Sequence, residues 1–185
     1  MILLSSYGFC SPFISEKIRE YFNPVGKTVL ILPFAGSNCQ QTAVRERERG
    51  LIPFGFSPEN IYVAERDFPK DKLFDMIYVP GGDPFLLMKE AKERNLIPFV
   101  KHAVERGTVY FGVSAGADFA GENLEYLCLV EDCNYCLRDY DGLGLIPQKV
   151  LCHIDQRDMG TLQRVREFDH RKTIFLRNDE VYVIP

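Results

Sequence analysis

Short apolar runs alternate along the chain with longer, charge-rich segments of helical period, the pattern of βαβ units in a mostly parallel sheet. Residues 2–4 form a first strand. Ser11 and Pro12 suit an N-cap and a first helical position, and Ile14, Ile18 and Phe22 recur every fourth residue on one face. A helix therefore runs to residue 22, where Asn23, Pro24 and Gly26 end it. Residues 28–32 are a second strand and 40–49 a helix with Gly50 as its C-terminal cap. The Arg45-Glu46-Arg47-Glu48-Arg49 run in that helix reads as a solvated face. Strands at 60–63 and 76–79 follow, the second running into the loop Pro80-Gly81-Gly82-Asp83-Pro84. A helix containing Phe85, Leu87, Met88 and Ala91 comes next, then another at 97–106. Residues 109–113 have the character of a buried central strand. A strand at 149–152, a helix at 159–168 and strands at 173–176 and 181–184 complete the pattern. No repeat, low-complexity stretch or linker interrupts it, so residues 1–185 are read as one α/β domain.

Composition leaves this picture intact and narrows the function. With 46% hydrophobic and 26% charged residues the chain has the make-up of a globular domain with a full core. A formal net charge of -4 provides no electrostatic reason for a polyanionic partner, so nucleic acid is not expected. The apolar opening MILL is too short for a secretory segment, and no later run approaches the ~18 apolar residues of a membrane helix. A cytoplasmic location without membrane attachment is expected. In that reducing setting Cys10, Cys39, Cys128, Cys133, Cys136 and Cys152 are read as free thiols. Cys133 and Cys136 form a CxxC, but a zinc site would want a second pair, and a redox motif would open a helix. Here a polar, turn-forming stretch follows, so neither metal nor cofactor is expected.

The central strand leads directly into Gly112-Val113-Ser114-Ala115-Gly116-Ala117, a strand-to-helix elbow. Such a turn holds its central residue in a strained conformation over the C-terminal edge of the sheet, and small neighbours keep the approach open. Ser114 is the residue so exposed, and the N–H of Ala115 is placed to stabilise an oxyanion. The Gly81-Gly82-Asp83 loop follows another strand and can bring a second donor to the same edge; its plainer reading is a tight turn with Asp83 capping a helix. Serine attacks poorly without a base. His153, at the end of the next convincing strand, fills that role better than His102 or His170, which lie in or beside charged helical patterns. Glu122, Glu125, Glu131, Asp132, Asp139, Asp141 and Asp155 all compete as the acid behind it, those between the elbow and His153 being favoured by a Ser, acid, His order.

Taken together, GVSAGA at 112–117, PGGD at 80–83, and GLGLIP followed by a strand ending in His153 resemble the dipeptidase E and cyanophycinase family of serine peptidases. The resemblance covers nearly the whole chain, from ILLSSYGF to LRNDEVYVI. It implies a three-layer αβα sandwich of the class I glutamine amidotransferase-like type, with serine in place of that family's cysteine. It also implies an acyl-enzyme mechanism on small peptides, with Ser114 as nucleophile, His153 as base, and Ala115 with Gly82 as oxyanion donors. It further implies that Gly81 and Asp83 flank the substrate. The family's acid counts to Leu129, which cannot serve; a small insertion brings in Glu131 or Asp132, and Asp132 is chosen. A small peptide is the expected partner, with a homodimer left open.

The chain also departs from the family. The Thr-Arg-Glu stretch of aspartate-specific members is replaced by Gly160-Thr161-Leu162-Gln163, and Asp83 stands where many members have Asn. Both changes argue against aspartate preference. Arg138 and Arg157 are nearby cations that could meet a substrate carboxylate. Two rival readings remain: a family member without a working triad that serves as a binding module, and an α/β-hydrolase esterase. The latter fits poorly, because two strands still have to be placed after His153.

Overall fold

A computed structural model describes residues 1–64 and 72–185. Strand β1 (Ile2–Ser5) is followed by α1 (Pro12–Arg19), β2 (Val29–Ile31) and α2 (Cys39–Glu46). Helix α1 begins as expected, Ser11 Oγ accepting from Ile14 N with Pro12 behind it, and its last α-turn closes at Arg19 instead of 22. Beyond α2 the chain does not stop at a glycine cap. A π turn over Arg47–Leu51 carries it into a short helix α3 (Ile52–Phe54), and Gly55, at φ 118, makes the left-handed cap. Gly50 is buried inside the π turn, where an added Cβ would lie 3.0 Å from the Cβ of Phe9.

Then come β3 (Ile61–Val63), β4 (Met76–Val79), α4 (Pro84–Glu93), α5 (Leu96–Glu105), β5 (Val109–Val113) and the four-residue α6 (Ala115–Asp118). After a 3-10 turn at Glu125–Leu129 the chain forms β6 (Lys149–Leu151), α7 (Met159–Glu167), β7 (Thr173–Phe175) and β8 (Val181–Ile184). The main sheet has the order β3-β2-β4-β5-β1-β8, parallel except for β8, which runs antiparallel to β1; β6 and β7 form a separate parallel pair.

Side chains alternate across this sheet into two cores. Ile2, Leu4, Leu30, Ile77 and Tyr110 face one way and pack against α4, α5 and α6 through Phe85, Leu96, Val100 and Ala117. Leu3, Ile31, Met76, Tyr78 and Phe111 face the other and meet Ile14 and Ile18 of α1 and Phe54 of α3. With both faces covered the layers are αβα, and the inner strands can be apolar throughout, as the sequence has them. The register sets the position of the site. Leu4 and Val79 both pair with Gly112, and Ser5 pairs with Val113, so β1, β4 and β5 end level. The residues that follow each of them emerge along one edge.

Candidate active site

Ser114 follows β5 at that edge with φ 50 and ψ -117, a conformation that a residue with a Cβ rarely adopts and that costs on the order of 1–3 kcal/mol. Its surroundings hold it there. Its N–H donates to Ser5 O at 2.9 Å, and its carbonyl accepts from Ala117 N and Asp118 N at 2.7 and 2.9 Å. The flanking glycines are required by space: a Cβ on Gly112 would sit 2.3 Å from Gly116 O, and one on Gly116 would sit 2.2 Å from Val79 O. The loop after β4 closes from the other side. A Cβ on Gly81 would meet that of Ser114 at 2.9 Å, and Gly82, at φ 149, leaves no room for one beside Ala35 O. Asp83 is occupied as a helix cap, its Oδ1 accepting from Phe85 N and Leu86 N at 2.8 and 3.0 Å. Among the described residues the N–H groups of Ala115 and Gly82 make no hydrogen bond within the chain.

His153 lies two residues beyond β6, also in the left-handed region with φ 56. Ser6 fixes it, its Oγ accepting from His153 N at 3.0 Å while donating to Leu176 O at 3.1 Å. The ring of Tyr7 meets the imidazole edge-on with centroids 5.2 Å apart. Imidazole Nε2 is 3.1 Å from Ser114 Oγ, and Nδ1 is 2.9 Å from Asn178 Oδ1. An amide oxygen only accepts, so Nδ1 carries the hydrogen and Nε2 offers its lone pair to the serine hydroxyl. Asn178 is held in turn by Asp155, whose Oδ2 accepts from Asn178 N at 2.8 Å.

The partner of the histidine is therefore an amide from the β7–β8 connection. Asp132 is exposed after the 3-10 turn, and the contact to Nδ1 is made by Asn178 in its place. Glu131 is engaged elsewhere, with Oε1 on Arg157 Nη2 at 2.9 Å. A Ser, acid, His order points to a carboxylate between the serine and the histidine and passes over Asn178, whose one signal is the polar Arg177-Asn178-Asp179 turn between two closing strands. Replacing Asn178 by Ala is expected to lower kcat of any Ser114-dependent reaction by roughly a hundredfold, whereas Asn178→Asp keeps the tautomer and retains activity. Steady-state rates of both, beside Asp132→Ala, check this; an impaired Asp132→Ala with a normal Asn178→Ala would move the orienting role to Asp132.

A buried carboxyl lies behind this pair. Asp118 is 7% exposed, and among the described residues its Oδ1 has no hydrogen-bond partner. Burial pushes its carboxyl up to about 8, outweighing the Cys152 hydrogen bonds and Arg157, which act downward. The same burial keeps the Cys152 thiol protonated, well above the usual range. Between pH 3.8 and about 8 the folded chain holds a proton that the unfolded chain has lost, so Asp118 erodes stability as pH rises through that window. Asp118→Asn is expected to raise the melting temperature by an amount that grows from about pH 4 to about pH 8 and then levels off. A difference independent of pH in thermal melts would contradict this.

The Ser–His pair opens into a pocket of about 340 Å³ lined on this side by Ser6, Tyr7, Gly81, Ser114 and His153. A larger cavity of about 620 Å³ beside Phe34, Cys39 and Arg94 contains neither residue, so the site is identified by chemistry and not by size. Among the described residues no group of three metal-ligating side chains forms, and no helix is long and apolar enough to cross a membrane.

A serine held at φ 50 at the edge of the sheet, its hydroxyl 3.1 Å from an imidazole nitrogen, is a geometry that nucleophilic hydrolysis can use. The chain belongs to peptidase family S51, a family of serine-type hydrolases, whose model matches residues 1–184. It is 30% identical over 114 residues to Peptidase E of Pasteurella multocida, a match covering 61% of this chain and 47% of that protein. With Peptidase E of Haemophilus influenzae it shares 29% over 133 residues, covering 60% of that protein. It thus spans about half the length of these curated relatives. An uncharacterised peptidase of Listeria monocytogenes matches at 25% over 98% of this chain and 96% of its own. The crystal structure of a candidate peptidase E protein from Listeria monocytogenes EGD-e superposes with a TM-score of 0.77 at 22% identity, covering 97% of this chain and 91% of that one. The fold is accordingly that of an α/β peptidase E-type protein.

Proposed function

We propose that this chain is a dipeptidase E-like hydrolase that cleaves amide bonds of small peptides through an acyl-enzyme on Ser114. The observation that carries the reading is the 3.1 Å approach of His153 Nε2 to the hydroxyl of a serine held at φ 50. Ser114 Oγ attacks the scissile carbonyl as Nε2 takes its proton. Ala115 N–H and Gly82 N–H donate to the oxyanion, with Gly81 leaving the space for the substrate carbonyl. The imidazolium then protonates the leaving nitrogen, and water, activated by the same base, releases the acid and restores Ser114. Asn178 holds the ring throughout but contributes no charge, which makes the site resemble the Cys-His-Asn arrangement in its third member. Aspartate preference is not part of the proposal, since Gly160-Thr161-Leu162-Gln163 carries no arginine. Kinship with class I glutamine amidotransferases and a cytoplasmic setting complete the reading.

Labelling with a fluorophosphonate tests it. The adduct is expected on Ser114 by mass spectrometry, absent in Ser114→Ala and His153→Ala. A well-folded wild type that takes no label would favour a binding module, to which the uncharged partner of His153 also points.

A further inference from the structure

The charged run at 45–49 is solvated at Arg45, Glu48 and Arg49, with one exception. Glu46 is buried, 5% exposed. Arg45 places Nε and Nη2 on its Oε1 at 3.0 and 2.9 Å, and Tyr78 donates its hydroxyl to Oε2 at 2.7 Å. The π turn that follows, a feature that often marks functional sites, packs against the loop after β1 through Gly50. Together these place Arg45, Glu46 and Arg49 in the wall of the pocket that holds Ser114 and His153. The charge of Glu46 is already balanced by Arg45. Arg49, an exposed residue of that wall, has no ion pair among the described residues, so it carries the wall's unbalanced positive charge.

The pocket also has a direction. His153, whose Nε2 is 3.1 Å from Ser114 Oγ, lines it together with Ser114 and Gly81. The leaving nitrogen must face His153 Nε2 to receive its proton, which puts the released residue inside the pocket, toward Arg49. At about 340 Å³ the space is near the lower limit for small-molecule sites. Resting on the hydrolase reading above, we propose that Arg49 is a specificity-determining residue that pairs with the free carboxylate of the released amino acid. The enzyme then takes peptides with a single residue beyond the scissile bond.

The test compares kcat/KM for a mixed dipeptide library X-Leu with the same library as C-terminal amides. Wild type is expected to prefer the free acids by about tenfold or more, as a charge-assisted pair would give. Arg49→Gln brings the ratio to within about twofold of unity and Arg49→Lys to an intermediate value, while Glu48→Gln, outside the pocket wall, keeps the wild-type ratio. Because the readout is a ratio within each variant, partial unfolding cancels. Equal cleavage of acids and amides by wild type, or an unchanged ratio in Arg49→Gln, overturns the proposal while fluorophosphonate labelling leaves the hydrolase reading standing. Absence of both labelling and cleavage removes the hydrolase reading, and the role of Arg49 falls with it.

Discussion

Ser114→Ala is expected to lower kcat/KM for small-peptide hydrolysis by roughly 10⁴- to 10⁶-fold, and His153→Ala by a comparable factor. The reason is the unit they form. Without the imidazole 3.1 Å away the hydroxyl keeps its proton, and without the hydroxyl the imidazole has nothing to activate. The double variant should therefore be no worse than either single one, since each removes the same step. Any residual rate would come from binding and from the amides of Ala115 and Gly82. Rates measured on peptide substrate by product detection, with folding verified by circular dichroism, decide the matter. A Ser114→Ala protein retaining a tenth of wild-type activity would place the chemistry elsewhere.

The largest loss of stability is expected at Gly116. Three elements meet there: β4 through Val79 O, β5 through Gly112, and α6 itself, with Tyr110 Oη donating to Gly116 O at 2.6 Å. A methyl group placed 2.2 Å from one backbone oxygen cannot be accommodated by rotating a side chain, so α6 must move away from β4. Gly116→Ala should destabilise by about 3 kcal/mol, lowering the melting temperature by roughly 6–12 °C. Gly26 is the comparison: it has φ 71 but nothing within 4 Å, so Gly26→Ala bears only the conformational cost, about 1 kcal/mol. Melting of Gly116→Ala within about 2 °C of wild type would show that the elbow is not sterically closed.

These two residues were legible in the sequence because their constraints are local. An apolar run stopping at Gly-x-Ser-x-Gly specifies a strand, a turn and a helix start within six positions. The buried inner strands were legible for a related reason, their unbroken apolar character. The π turn at Arg47–Leu51 was not, since alternating Arg and Glu satisfies a solvated helix equally well and only the docking of Gly50 on Phe9 selects the alternative. Asn178 was hidden more deeply. Its role arises from the antiparallel return of β8 onto β1, a tertiary event, and it has the chemistry of an ordinary turn residue. Asp118, adjacent to a helix start, likewise discloses its burial only once β6 packs over it.

The placement of Ser6 and Asn178 has a consequence for when the Ser114–His153 pair takes shape. Ser6, whose hydroxyl bonds Leu176 O across 170 positions, and Asn178 both hold His153, so its imidazole is aligned only after β1 and the β7–β8 connection have come together. Contacts of such long range form late, because the closure entropy of the whole loop must be met first. A chain cut ahead of Leu176 therefore holds Ser114 beside an imidazole that lacks both the Asn178 contact and the Leu176 anchor of Ser6. Alignment of the Ser114–His153 pair then reports that β1 and the β7–β8 connection have met.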